Sequence, residues 1–258
     1  MRNYFSASII FGAIGIGFFY QYNSAVKSND HNSKKIFMFF EAHYDPAPAR
    51  VMNELLPFFQ KENVTTFYAE QPITETKEST IQSYLLVEQT IKLKDQNDPY
   101  VQQYYLTLPA YKEYINFLQN LSKYSIDFKA VDTPPASNTM EQISNRVMRN
   151  KFVVDNIIKS DVDKSLMLIG LHHYDIGCQL TALGYDVQGY YIPSLPVGKY
   201  EYSKIDDVLR PKNKDKQQDL WKVQMKCDKD YFFDLKVIDT SLNDQLNATH
   251  IIIDDYYN

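Results

Sequence analysis

Two imidazoles and two carboxylates stand at the ends of apolar runs in this chain. Glu41 and His43 follow the run 36–40 (IFMFF), Glu70 ends the stretch 64–70 (VTTFYAE), and His173 follows the run 166–169 within LMLIGLHHYD. Both histidines open the same triplet, His43-Tyr44-Asp45 and His173-Tyr174-Asp175. In extended backbone Glu41 and His43 project to one side, because side chains alternate with period two. Imidazole and carboxylate together suit two chemistries. They bind divalent zinc, manganese or iron, or they run acid–base catalysis, with a His activating water while a Glu orients it or carries the proton. The catalytic set is then Glu41, His43, Glu70 and His173, and the metal set is His43, His173 and Glu70. No HExxH motif is present. Arg146 and Arg149, three residues apart on one helical stretch, lie on neighbouring faces and either hold an anionic substrate group or pair with the site carboxylates. Tyr44 and Tyr174 read as amphipathic wall residues, and Asp45 and Asp175 as helix caps.

These groups need a scaffold that brings distant segments together. The aromatic-rich run 36–40 reads as a central strand buried on both faces. Val51, Met52, Leu55, Leu56 and Phe59 recur at helical spacing, with Pro57 shortening or kinking that helix and Asn63 ending it. The stretch 64–70 returns as a strand, giving a βαβ unit whose second strand is expected beside the first. Ile81, Leu85 and residues 88–91 mark one helix; Tyr111, Tyr114, Ile115, Leu118 and Leu121 mark another. Residues 125–132 alternate as a strand. Thr139 with Gln142 forms a capping box for a helix reaching Ser160, with Ile143, Val147, Val154, Ile157 and Ile158 at its apolar positions. A second βαβ unit follows: strand 166–169, a helix through Ile176, Leu180 and Leu183, a stop at Gly184, and strand 185–192. Residues 193–226 read as irregular structure with a short helix near Ile205, and 231–239 and 250–256 as late strands. The fold class is α/β: two βαβ-type halves, about 36–132 and 139–258, forming a mainly parallel sheet with helices on both faces. A site in such a sheet lies beyond the carboxyl ends of the strands, where all four candidates fall.

Composition narrows the function. The 258 residues carry a net charge of −5, which argues against nucleic acid as a partner because phosphate binding needs a basic surface. A small-molecule or peptide substrate fits instead. Residues 4–20 (YFSASIIFGAIGIGFFY) contain no charge and follow Arg2. Residues 1–22 therefore read as a signal peptide or membrane anchor, residues 23–35 as a linker, and 36–258 as a single α/β domain. A secreted, periplasmic or membrane-anchored location follows, with residues 4–20 as the membrane contact. Cys178 and Cys227 are the only cysteines. They read as two buried thiols, with one disulfide as the alternative in an oxidising compartment.

The motifs FEAH (40–43), FYAEQP (67–72), NRVMRNKFVVDNI (145–157) and IGLHHYDIGCQLTALGYDV (169–187) occur in the order of a known pattern. The chain resembles the superfamily that joins erythromycin esterases, the ChaN-like haem-associated lipoproteins, and the TraB and Tiki proteins. On that resemblance Glu41 and His43 match the early motif, Glu70 the glutamate ending the next strand, and Arg149 the helix arginine. Gly170 and His173 match the late motif. Phe40 stands where the pattern has glycine. The resemblance implies a site between two α/β halves, with Arg149 and Gly170 positioning substrate. It is compatible with a hydrolase of an ester or amide bond. It is equally compatible with a non-catalytic module binding haem or a divalent metal, or with an effector or interaction protein on a degenerate enzyme fold.

Overall fold

A computed structural model describes residues 33–41, 45–93, 107–133, 146–192, 211–214, 220–227 and 232–238, together with 249 and 252. The predicted N-terminal segment, residues 23–32 of the predicted linker, the capping box and the helix near Ile205 lie outside the described residues, whereas Lys35, read as linker, already belongs to the first strand. No helix among the described residues is long and apolar enough to cross a membrane.

The strands are β1 (Lys35–Glu41), β2 (Thr66–Pro72), β3 (Asp127–Asp132), β4 (Lys164–Gly170), β5 (Asp186–Tyr191), β6 (Pro211–Lys214), β7 (Leu220–Lys226) and β8 (Phe232–Ile238). They form one sheet in the order β3-β2-β4-β1-β5-β8-β7-β6. The first six are parallel, and β7 and β6 extend the sheet antiparallel. The helices are α1 (Ala47–Glu54), α2 (Leu56–Lys61), α3 (Lys77–Leu93), α4 (Leu108–Leu121), α5 (Arg146–Ser160) and α6 (Asp175–Ala182). The expected α/β class, mainly parallel and with helices on both faces, is what the chain adopts.

Strand alternation sorts the core into two layers. Phe37 and Phe39 of β1, Phe67 and Ala69 of β2, and Leu166 and Leu168 of β4 pack with α1, α2 and α4. Ile36, Met38 and Phe40, with Tyr68, Met167 and Ile169, pack with α5 and α6. Residues 36–40 are each 0% exposed, as a strand covered on both faces requires. Phe40 is a core side chain stacked on Phe233, with ring centroids 6.0 Å apart.

Local punctuation follows the sequence. The predicted helix divides at Leu55, and Pro57 falls in the first turn of α2, where its missing N–H costs no bond. Asn63 adopts φ 60° and Gly184 φ 87°, left-handed conformations that stop helices. Val154 and Ile157 are buried as expected, but Val147 is 72% exposed and Ile158 38%. The burying stripe of α5 runs instead through Asn150, Val153, Val154 and Ile157.

Three expectations are corrected. β2 does not lie beside β1, because β4 inserts between them and pairs with both. Residues 211–214 and 220–226 are strands, where irregular structure is expected. The two cysteines are not thiols: Cys178 on α6 and Cys227 at the end of β7 form a disulfide. The reading of 250–256 as a strand lies outside the described residues except at Ile252, which is helical.

The disulfide closes a span of 49 residues, which restricts the unfolded chain. Replacing both cysteines by alanine is expected to lower stability by about 2–4 kcal/mol. An unchanged urea midpoint, with and without reductant, would contradict that assignment.

Candidate functional site

The chain leaves β1 and β2 for the α1–α4 face, and leaves β4 for the α5–α6 face. β4 sits between β2 and β1, with Glu41 opposite Gly170 in register. Connections therefore diverge around the carboxyl ends of these three strands, where ligand crevices form in open α/β sheets.

Arg149 is the centre of the site. Its Nε donates to Asp132 Oδ1 and Oδ2 at 2.8 and 2.9 Å, and its Nη2 donates to Glu70 Oε1 at 2.6 Å and also to Asp132 Oδ2. Asp132 ends β3 and also accepts from the Thr133 N–H at 2.7 Å. Glu70 Oε2 accepts from the Gly170 N–H at 2.9 Å. The backbone ladder between β2 and β4 ends at Ala69 and Leu168, so the Glu70 side chain takes the next N–H. Two carboxylates that are 16% and 7% exposed, Glu70 and Asp132, thus share one guanidinium. The two carboxylates around it draw the Arg149 pKa upward, with the Asp132 bond as the main cause.

His173 completes the cluster from the short 3-10 turn Leu171–His173 after β4. Its Nδ1 lies 2.6 Å from Oδ1 of Asn150, a residue of α5 with no exposure. The Asn150 carbonyl accepts the Nδ1 proton, which leaves the lone pair on Nε2. Nε2 lies 3.3 Å from Glu70 Oε1 and 3.4 Å from Arg149 Nη1. Burial lowers the His173 pKa; Glu70 and Asp132 pull it upward, Arg149 and Arg146 downward. Desolvation decides the outcome, so the ring is neutral near pH 7. Asn150 Nδ2 is buried and finds no partner among the described residues.

On the opposite face of the strand ends lies a cavity of about 240 Å³. Glu41, Asp45, Glu70, Gln71, Tyr84, Tyr111 and Tyr114 are among its lining residues. Alternation explains the division: Glu41 continues the Phe37–Phe39 side of β1, whereas Glu70 continues the Tyr68 side of β2. Glu70, at the rim, belongs to both the cavity and the Arg149 cluster.

The structure therefore brings together four of the predicted residues, Glu70, Arg149, Gly170 and His173. It places Glu41 in the neighbouring cavity, and His43 lies outside the described residues. Arg149 screens carboxylates, as one of its two predicted roles requires. Arg146 and His172 are exposed. Asp45 Oδ1 accepts from the Ala47 N–H at 2.9 Å at the start of α1, while Asp175 is the first residue of α6. Asp132, Asn150, Tyr84, Tyr111 and Tyr114 are functional candidates that sequence reasoning missed. Asp132 carried a usable signal, since it ends a predicted strand just as Glu70 does.

A divalent ion does not fit the described part of this site. The Arg149 guanidinium already contacts both Glu70 Oε1 and His173 Nε2, the two ligand atoms an ion would share. Among the described residues no group of three or more His, Cys, Asp or Glu side chains is arranged to hold a metal.

Comparisons with known proteins add little. No family model and no curated protein matches the chain. Among solved structures it is similar to the type III effector HopBA1, at 9% identity and a TM-score of 0.42 over 80% of this chain and 87% of that one. It is also similar to two structures described as bacterial protein toxins, each at 12% identity and a TM-score of 0.34. The matches cover 59% and 58% of this chain, and 30% and 32% of the toxin chains. At these scores the likenesses carry no argument about function.

Arg149→Met removes the cation from two largely buried carboxylates and is expected to destabilise the fold by about 3 kcal/mol, measured by urea unfolding. His173 makes a pH prediction. Between its lowered native pKa and the ordinary 6.5, the unfolded chain holds a proton that the native chain lacks. Stability therefore rises with pH through that window and is lost as the pH falls through it. Wild type should lose more stability than His173→Gln as pH drops below 6.5. Parallel pH profiles for the two would contradict a buried neutral His173.

Proposed function

We propose that this chain is a hydrolase-like α/β protein of the erythromycin esterase, ChaN-like and TraB–Tiki superfamily, acting on an ester or amide bond without a metal. The observation that supports it is the contact between His173 Nε2 and Glu70 Oε1 at 3.3 Å, on a carboxylate that also borders the cavity. Asn150 accepts the Nδ1 proton, so the basic lone pair is on Nε2, and it takes a proton from water once Arg149 Nη1, 3.4 Å away, gives up its contact. Glu70 then stabilises the imidazolium, as a carboxylate beside a newly charged ring does. With both carboxyls ionised, Asp132, Glu70 and Arg149 sum to −1. One proton on His173 brings the cluster to neutrality, which favours proton uptake during water attack.

Arg149 holds Glu70 in place, and Gly170 fixes its second oxygen. Glu41 faces the cavity and is assigned to substrate binding. The disulfide supports a secreted or periplasmic location, because such bonds persist in oxidising compartments. Phe40, which stands where the resembled pattern has glycine, is a buried side chain stacked on Phe233 and takes no part in the Glu70–His173 contact.

The test uses a panel of p-nitrophenyl esters and peptide p-nitroanilides with the full chain. Wild type should turn over at least one of them, insensitive to chelator, with the acid limb of kcat/KM below pH 6.5. His173→Gln should lose roughly 100-fold or more of kcat while remaining folded by circular dichroism. Full activity in that variant would sink the assignment. Absent turnover across the panel would favour a non-catalytic binding module instead.

A further inference from the structure

The disulfide fastens a helix that continues directly from the site. Cys178 lies in the first turn of α6. Its N–H donates to the Tyr174 carbonyl at 3.3 Å, and the Tyr174 N–H donates to the Leu171 carbonyl at 3.2 Å. One hydrogen-bonded run of backbone therefore leads from the bond to the turn that carries His173. α6 has 8 residues, fewer than the roughly 12–15 an isolated helix needs to persist in water, so it depends on what it packs against. Gly177 seats it on Phe233 of β8: a Cβ there would stand 2.9 Å from that ring, and one at Gly189 of β5 would stand 2.9 Å from the ring's other edge. Met225 of β7 lies opposite Phe233 in register, and Cys227 follows two residues later. The glycine seat and the disulfide thus tie α6 to one strand pair, β7–β8. Among the described residues that pair meets the rest of the parallel sheet through Gly189–Tyr191 of β5, against Leu235–Val237.

We infer that the Cys178–Cys227 disulfide is a redox clasp, holding the His173 turn in its site geometry when oxidised and releasing it when a small thiol reduces the bond. The chemistry is thiol–disulfide exchange. A thiolate attacks one sulfur, the S–S bond breaks, and the other cysteine leaves as a thiolate. A second thiol then resolves the mixed disulfide. Two reductant thiols become one disulfide, and the two electrons and two protons they lose end on the two cysteines. Cys178 is only 9% exposed and Cys227 is half-buried, so attack falls on Cys227 and Cys178 leaves. Release reaches the imidazole because it is held from two sides. Asn150 of α5 holds Nδ1 at 2.6 Å, and α6 anchors the turn that presents the ring. With α6 untied, the turn swings and water reaches the ring.

Calling the consequence a loss of activity rests on the hydrolase reading; the clasp itself does not. If both hold, the chain turns over its substrate where disulfides persist and idles among reducing thiols.

The test titrates the His173 imidazole by NMR in the full chain, before and after excess reduced glutathione, with His173→Gln identifying the resonance. Iodoacetamide labelling of the native chain counts thiols, and circular dichroism follows the fold. Glutathione should free both cysteines, keep the fold, and move the His173 titration from below 6.5 towards 6.5. A chain carrying Cys178→Ser and Cys227→Ser should titrate like the reduced form and ignore glutathione. An unchanged titration in the reduced chain would overturn the inference, and so would a bond that glutathione does not reduce. Collapse of the whole circular dichroism spectrum would overturn it too, since the bond is then a staple of the entire fold. Where the p-nitrophenyl esters are turned over, reduction should lower kcat roughly tenfold or more. A shifted titration with no turnover in either state leaves the clasp standing and removes the hydrolase. Turnover with an unmoved titration does the reverse.

Discussion

The guanidinium of Arg149 is the interaction on which the strand ends depend. Asp132 and Glu70 come from adjacent parallel strands and lie only 7% and 16% exposed. Parallel strands deliver like ends to one edge of the sheet, so acidic residues at two neighbouring ends repel unless a cation stands between them. Arg149 meets that need from α5, with Nε aimed at Asp132 and Nη2 bridging to Glu70. A forked, planar cation is suited to the task, because it reaches two carboxylates in fixed directions. The position of α5 is thereby tied to β2 and β3. Asn150, the next residue, then meets His173. The orientation of the imidazole is a consequence of where the arginine must be.

The same dependence explains what was legible in the sequence. The uninterrupted apolar run 36–40 announced a strand covered on both faces, and Pro57, Asn63 and Gly184 marked real breaks. Such signals are local. The insertion of β4 between β1 and β2 was not legible, because hydrophobic pattern records which residues are buried and says nothing about the order of strands across a sheet. Consecutive strands are neighbours often enough to make the simpler pairing the natural expectation. Residues 220–226 carried an alternation of Trp221, Val223 and Met225 with Lys222, Gln224 and Lys226, a period-two signal obscured by its surroundings. Val147 illustrates the opposite failure: an apolar residue at a helical position need not face the core, and this one is 72% exposed.

The site divides along similar lines. Glu70, Arg149, Gly170 and His173 were legible because each follows or precedes a recognisable element. Asn150 was not: a buried amide in the middle of a helix has no pattern, and its role exists only once α5 meets the turn after β4. The tyrosines were hidden in plain view. Tyr111 and Tyr114 fit the apolar stripe of α4, and that reading is half right. Tyr114 packs on Phe67 and Phe117 of the core while also lining the cavity. A residue that serves core and cavity together looks, in sequence, like core alone.

Period-two alternation also separates the two compartments of the site, and Glu70 joins them. Glu41 points to the tyrosine side, Glu70 to the arginine side, and the Glu70 rim is shared.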